Sequence, residues 1–216
     1  MHKAHWKTQN MNRVIFLLGI LSIGLIACQS EQKPLPIIGH KNIDGNDTTY
    51  HTIPDFSFIN QDSQRVTPAT FEDKVYIVDF FFTSCPTICP VVKSQMMRIY
   101  DRFEGDDRLL FLSHSVDSRR DSVPRLNVYA NNLGVSSERW HFVTGDITEI
   151  YDIAEDYFSV AKEDPEAPGG FDHSGRLILV DPNKHVRSFC DGTNEEEVNR
   201  FMEDIETLLN EVESGS

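Results

Sequence analysis

The sequence predicts an α/β sandwich with a central, mostly parallel sheet, helices on both faces and a closing β-hairpin. Three observations carry this. Lys74–Phe82 is a near-continuous apolar run rich in β-branched and aromatic residues, the pattern of a strand buried on both faces. Segments with helical spacing of apolar residues then alternate with further strand-like runs. The chain closes on two strand-like runs around Pro182-Asn183 and a long acidic amphipathic segment.

Taken in order, Phe56–Ile59 followed by Arg65–Thr67 reads as a short opening hairpin. Lys74–Phe82 is the central strand. Pro90–Phe103 places Val91, Val92, Met96, Met97, Ile99 and Tyr100 at helical spacing, and Leu109–Val116 is a second buried strand. Ser122–Leu133 reads as a helix stopped by Gly134, and Trp140–Val143 as a short strand. Asp146–Asp156 reads as a helix that starts with a capping-like Asp-Ile-Thr-Glu. Arg176–Asp181 and His185–Cys190 form the closing hairpin, and Asn194–Val212 is a helix with Val198, Phe201, Ile205 and Leu208 along its apolar face. There is no internal repeat. This element order matches a thioredoxin-like sandwich.

Residues 1–27 read as a targeting segment. Lys3, Lys7 and Arg13 stand without any acid, and Val14–Ala27 is apolar but shorter than the roughly 20 residues a membrane span needs, which fits a signal-peptide core. The run ends Leu25-Ile26-Ala27-Cys28, the pattern of a bacterial lipobox in which Cys28 is lipidated and becomes the new N-terminus. An uncleaved anchor is the competing reading. Both place the folded part outside the cytoplasm, on the periplasmic side, tethered to a membrane. Residues 28–51, polar and punctuated by Pro34, Pro36, Gly39 and Gly45, read as the tether, and 52–216 as one domain. The formal charge of the whole chain is −14. Loss of the leader makes it more negative still, which argues against a nucleic-acid partner.

With Cys28 assigned to lipid, Cys85, Cys89 and Cys190 remain, too few for a disulfide framework. The Cys85-Pro-Thr-Ile-Cys89-Pro90 stretch follows the central strand directly and so lies where the next helix begins. Backbone N–H groups and the helix dipole there favour thiolates. If both cysteines fall in one helical turn they are neighbours close enough for a disulfide. The pair is thus a dithiol, a disulfide or two arms of a metal site. Cys190, on the closing hairpin, reads as a buried inert thiol rather than a third redox partner.

A metal site needs a third ligand, and the chain has 8 histidines. His2 and His5 lie in the leader, and His40 and His51 in or near the tether. His114 and His141 read as packed within or beside strands, and His185 as a solvated hairpin tip. His173 stands apart: it follows the Pro168-Gly169-Gly170 loop and precedes the strand Arg176–Asp181, at the loop that lies beside the thiol pair in thioredoxin-like folds. Thiol oxidoreductases of that fold usually carry a proline there, whereas Phe171-Asp172-His173-Ser174-Gly175 has none. Two thiolates and an imidazole suit Cu(I) and also accept Cu(II), while structural zinc wants a fourth ligand.

Thr83-Ser84-Cys85-Pro86-Thr87-Ile88-Cys89-Pro90, Ser115-Val116-Asp117 with Arg120-Asp121-Ser122-Val123-Pro124, Trp140–Gly145, and Asp172-His173 leading to Leu179-Val180-Asp181-Pro182 together resemble the Sco/SenC family, from about Thr52 to Glu211. The resemblance implies a thioredoxin-like fold and copper bound by Cys85, Cys89 and His173. It also implies a role in assembling the dinuclear copper site of cytochrome c oxidase, by copper delivery, by reducing that site's cysteines, or both. Asp117 and Asp172 are placed to orient His173 or tune its basicity. The partners expected are the copper-receiving oxidase subunit, another copper chaperone or a thiol reductant, and the membrane through lipid on Cys28, with the protein itself a monomer. The rival function is a thiol–disulfide oxidoreductase in which Cys85 and Cys89 attack and resolve. A peroxidase-like reductant of the same fold would need Arg119 or Arg120 to reach a thiolate.

Overall fold

The computed structural model describes residues 33–45 and 47–215, so the leader 1–27 with its His2 and His5, and the lipobox Cys28, lie outside the described residues. In chain order the strands and α-helices are β1 (Lys41–Asp44), β2 (Asp47–Tyr50), β3 (Phe58–Asn60), β4 (Arg65–Val66), β5 (Val75–Phe81), α1 (Ile88–Arg102), β6 (Leu109–Ser115), α2 (Val123–Leu133), β7 (Trp140–Thr144), α3 (Ile147–Asp156), β8 (Ala161–Glu163), β9 (Phe171–His173), β10 (Arg176–Val180), β11 (Val186–Asp191) and α4 (Glu195–Gly215).

Every residue of β5 and of β6 is buried, as their continuous apolar runs require, and these strands lie at the middle of a seven-stranded sheet ordered β11-β10-β5-β6-β7-β3-β4. β5, β6 and β7 run parallel. On both flanks the pairing is antiparallel. Parallel character is therefore confined to the centre, where α1 and α2 supply the crossovers. Both cover one face, as successive crossovers of one hand must. Tyr129 of α2 packs on Phe81 and Phe142 with centroids 5.3 and 5.5 Å away. α4 lies beside α1, with Arg98 and Arg102 reaching Glu195 and Glu206. On the opposite face Tyr157, just after α3, packs on Phe80 at 6.1 Å and meets the Tyr76 hydroxyl at 3.3 Å.

Local signals place most boundaries. Gly134 takes φ +74° and ends α2, a backbone conformation that costs other residues more. Asp146 caps α3 by accepting from the N–H groups of Thr148 and Glu149. α1 begins at Ile88, two residues earlier than expected, because Pro90 sits within the first turn, where an N–H has no helical partner anyway.

Two segments differ from expectation. The stretch read as a tether carries the β1–β2 hairpin, and the compact unit begins at Pro34. Ile38 bridges Val186, Arg187 donates to the Leu35 carbonyl at 2.6 Å, and the Leu35 N–H donates to Glu211 at 2.6 Å. This strap meets the sheet where Val180 pairs with Val186, at the end of β10 far from His173. The second segment, the Pro168-Gly169-Gly170 loop with its flanks, belongs to a hairpin in which Ala161 pairs with His173. Strands of three residues are too short to show a period.

His114 in β6 is fully buried among Phe56, Phe58, Phe80 and Tyr157, and neither ring nitrogen has a hydrogen-bond partner among the described residues. Burial lowers its pKa from 6.5 to about 3. Between those values the unfolded chain binds a proton that the folded chain refuses, so stability is full above the unfolded value and falls as pH drops towards the folded one. Replacing His114 with Phe keeps an aromatic ring and removes the penalty. Urea unfolding from pH 7 to pH 4 should show the parent losing on the order of 3 kcal/mol more than His114→Phe. Equal losses would place the acid sensitivity elsewhere.

Candidate metal centre

β5 delivers the chain to Phe82, and the Phe82 carbonyl accepts from the Cys85 N–H at 3.2 Å, closing a tight turn. Cys85 lies in this turn and Cys89 in the first turn of α1, so the pair straddles the loop–helix junction rather than sharing one helical turn. Both are free thiols, 8% and 5% exposed. Their environments differ. Burial pushes the Cys85 thiol up, but the backbone N–H groups of Thr87 and Cys89, with the side chains of Cys89 and Thr87, outweigh it and leave its pKa below the ordinary thiol value. Burial drives Cys89 well above that value, reinforced by Cys85 and only partly opposed by the Phe82 backbone and Lys93.

His173 comes from the end of β9, 8% exposed. Its Nε2 lies 3.1 Å from Cys89 Sγ and 3.7 Å from Cys85 Sγ, and the three donor atoms all fall within 4.8 Å of one another. Burial lowers the His173 pKa; the Phe171 carbonyl opposes this without reaching hydrogen-bonding geometry, and the buried Nδ1 has no partner among the described residues. A neutral imidazole with its proton on Nδ1 presents the Nε2 lone pair to both sulfurs.

Phe82 is the common surface beneath loop and hairpin. Its ring packs against Phe171 at 5.1 Å and edge-on against His173 at 5.2 Å. Gly169, at φ +82°, presses on the same ring, and a Cβ there would lie 2.7 Å from Phe82 Cζ. Any side chain at 169 would lift the hairpin. Beside the sulfurs runs a groove of about 390 Å³ lined by Phe82, Pro90, Met97, Tyr129 and Leu133 among others.

The acids expected near His173 are engaged elsewhere. Asp117 is buried but accepts from Arg120 at 3.2 Å, and Asp172 faces Lys162 at 3.6 Å. Neither hydrogen bonds to His173, and as the neighbour of His173 in β9, Asp172 projects to the other face of the strand. Arg119 pairs with Glu163 and Arg120 with Asp117, so neither arginine is bonded to a thiol. Cys190 is buried opposite Leu177, its thiol pushed up to about 12 by burial and then by Glu197 and Asp191, an inert setting. The acid that braces the site is Asp121, which sequence reasoning missed. It accepts from the Thr83 N–H at 2.9 Å, Thr83 Oγ1 at 2.5 Å and Ser115 Oγ at 2.7 Å, fixing the turn before Cys85. Also missed was the buried pair Lys93–Asp79, although Asp79 is the one charged residue in β5 and Lys93 follows Cys89 by one helical turn.

A profile of the SCO1/SenC family matches residues 44–210. The chain belongs to the SCO1/SenC family. The SCO1 protein homolog of Bacillus subtilis (strain 168) is 27% identical over 191 residues, 88% of this SCO1/SenC chain and 93% of the relative. Among solved structures, BsSco, described as having a disulfide switch and as a member of the Sco family of cytochrome c oxidase assembly proteins, superposes with a TM-score of 0.67 at 24% identity, covering 82% of this chain and 98% of that one. Arabidopsis thaliana ScoI with copper bound gives 0.59 at 25% identity, covering 71% and 97%. The thioredoxin-like fold expected from the sequence is the fold observed.

The unequal thiols of this SCO1/SenC protein give a direct expectation. On brief iodoacetamide treatment of the reduced protein, peptide mapping should find Cys85 labelled at least about tenfold faster than Cys89 or Cys190. Equal labelling of Cys85 and Cys89 would contradict the asymmetry described above.

Proposed function

We propose that this protein is a copper metallochaperone that carries one copper ion on Cys85, Cys89 and His173 and supports assembly of the dinuclear copper site of cytochrome c oxidase. The observation that carries the reading is the convergence of two thiols and one imidazole nitrogen, all buried and within 4.8 Å. Two soft sulfurs and a borderline nitrogen suit Cu(I) and tolerate Cu(II), and three ligands leave the ion open to a fourth from an acceptor. The copper bound by the related Arabidopsis ScoI supports the same choice of metal.

Copper here is cargo, and the residues divide the work of holding and releasing it. Cys85, in the turn and the more acidic thiol, is the arm that an incoming ligand displaces first. Cys89, anchored in α1, and His173, on the hairpin, keep the ion until exchange is complete. The acceptor is the copper-receiving subunit of the oxidase, and the supplier another copper chaperone. A lipid on Cys28 holds the protein at the periplasmic side of a membrane, as a monomer.

A second reading, a thiol–disulfide oxidoreductase that reduces the acceptor's cysteines, draws on the same asymmetry, with Cys85 attacking and Cys89 resolving. Copper titration separates the two. The reduced protein should bind one Cu(I) tightly, and His173→Ala should weaken binding by at least about 100-fold while still forming the Cys85–Cys89 disulfide on oxidation. Binding indifferent to His173 would favour the reductase.

A further inference from the structure

A charge is costly inside an apolar core, yet Lys93 and Asp79 are only 3% and 1% exposed. Lys93 Nζ donates to Asp79 Oδ1 and Oδ2 at 2.9 and 2.7 Å and to Ser113 Oγ at 2.9 Å. Ser113 donates to Asp79 and accepts from the Trp140 indole N–H at 2.8 Å. The rings of Phe81, Trp140 and Phe142 flank the ammonium, with centroids 4.3, 5.3 and 5.3 Å away. The geometry is that of a fully hydrogen-bonded ion pair. Apolar residues of equal volume would stabilise such a core as well or better, so stability alone gives no reason for it.

Its position supplies one. Lys93 follows Cys89 by one turn on the buried face of α1 and lines the same groove as Cys85 and Cys89. It donates to neither thiol, but its field acts favourably on a charge at Cys89. Arg119 and Arg120 are held by Glu163 and Asp117.

We propose that Lys93, held by Asp79, is the fixed counter-charge of the Cys85–Cys89–His173 centre and biases bound copper towards Cu(I). The inference rests on the copper reading above. Two thiolates and a neutral imidazole around Cu(II) sum to zero charge. One electron from a reductant gives Cu(I) and a net charge of minus one, with no bond or proton exchanged. A buried cation one turn away stabilises the second state from the sulfur side, where Lys93 and not Asp79 lines the groove with Cys85 and Cys89; Asp79 opposes it and at His173 acts more strongly than Lys93. Lys93 is a positioning residue that acts through its field, not a ligand.

The test is the Cu(II)/Cu(I) midpoint potential of the copper-loaded protein, measured spectroelectrochemically. Two variants remove both charges without stranding one: Lys93→Gln with Asp79→Asn, which keeps polar partners, and Lys93→Met with Asp79→Leu, which does not. In whichever variant folds, the Cu(I):Cu(II) ratio at a given potential should fall about tenfold, a shift of about 59 mV to lower potential for one electron. Urea unfolding of the copper-free proteins reads the packing role separately. A variant that binds one copper, with its unfolding midpoint moved and its potential unchanged, would overturn the proposal and leave the copper reading intact. A parent protein that binds no copper would overturn both.

Discussion

The contact between Phe82 and the hairpin that carries His173 is the interaction on which the rest of the centre depends. Two donors arrive from the turn after β5 and the first turn of α1, and the third from a segment more than 80 positions later in the chain. Phe82 closes that distance because its ring is the floor for Phe171, His173 and Gly169 together. On the other side of the turn Asp121 fixes Thr83, so the sulfurs are held from below and the nitrogen from above. Neither element alone makes a site.

This arrangement also sets the chemistry. The start of α1 favours a thiolate at Cys85, while burial raises Cys89 and keeps His173 neutral. A soft ion therefore meets one thiol that ionises more readily than usual, one that ionises less readily and one imidazole biased to its neutral form. Access is from the groove between α1 and α2, whereas the strap Leu35–Ile38 joins the sheet at the other end of β10. Among the described residues, this strap thus lies away from the groove.

Much of this was legible in the sequence. The buried run of β5 and the alternation after it gave the architecture, because a central parallel strand must be apolar on both faces. The cysteine pair and the histidine before β10 were visible as residue types at meaningful places. What stayed hidden was orientation. Asp117 and Asp121 look equivalent in Ser115–Asp121, yet the turn aims Asp121 at Thr83 and leaves Asp117 to Arg120. Asp172 adjoins His173, but strand alternation turns it to the opposite face. Lys93 reads as an ordinary helix lysine until the fold brings Asp79 and Ser113 to it. The strap at Leu35 looked like a tether because its ties to Arg187 and Glu211 are long-range and polar, invisible to local periodicity.

The central claim is that two sulfurs and one nitrogen from these three side chains surround the same copper ion. X-ray absorption of the Cu(I)-loaded protein at the copper edge tests it most directly. The account predicts a shell of two sulfurs and one imidazole nitrogen, with the nitrogen alone missing in His173→Ala. A sulfur-only shell in the parent, or a nitrogen that persists in the variant, would contradict it.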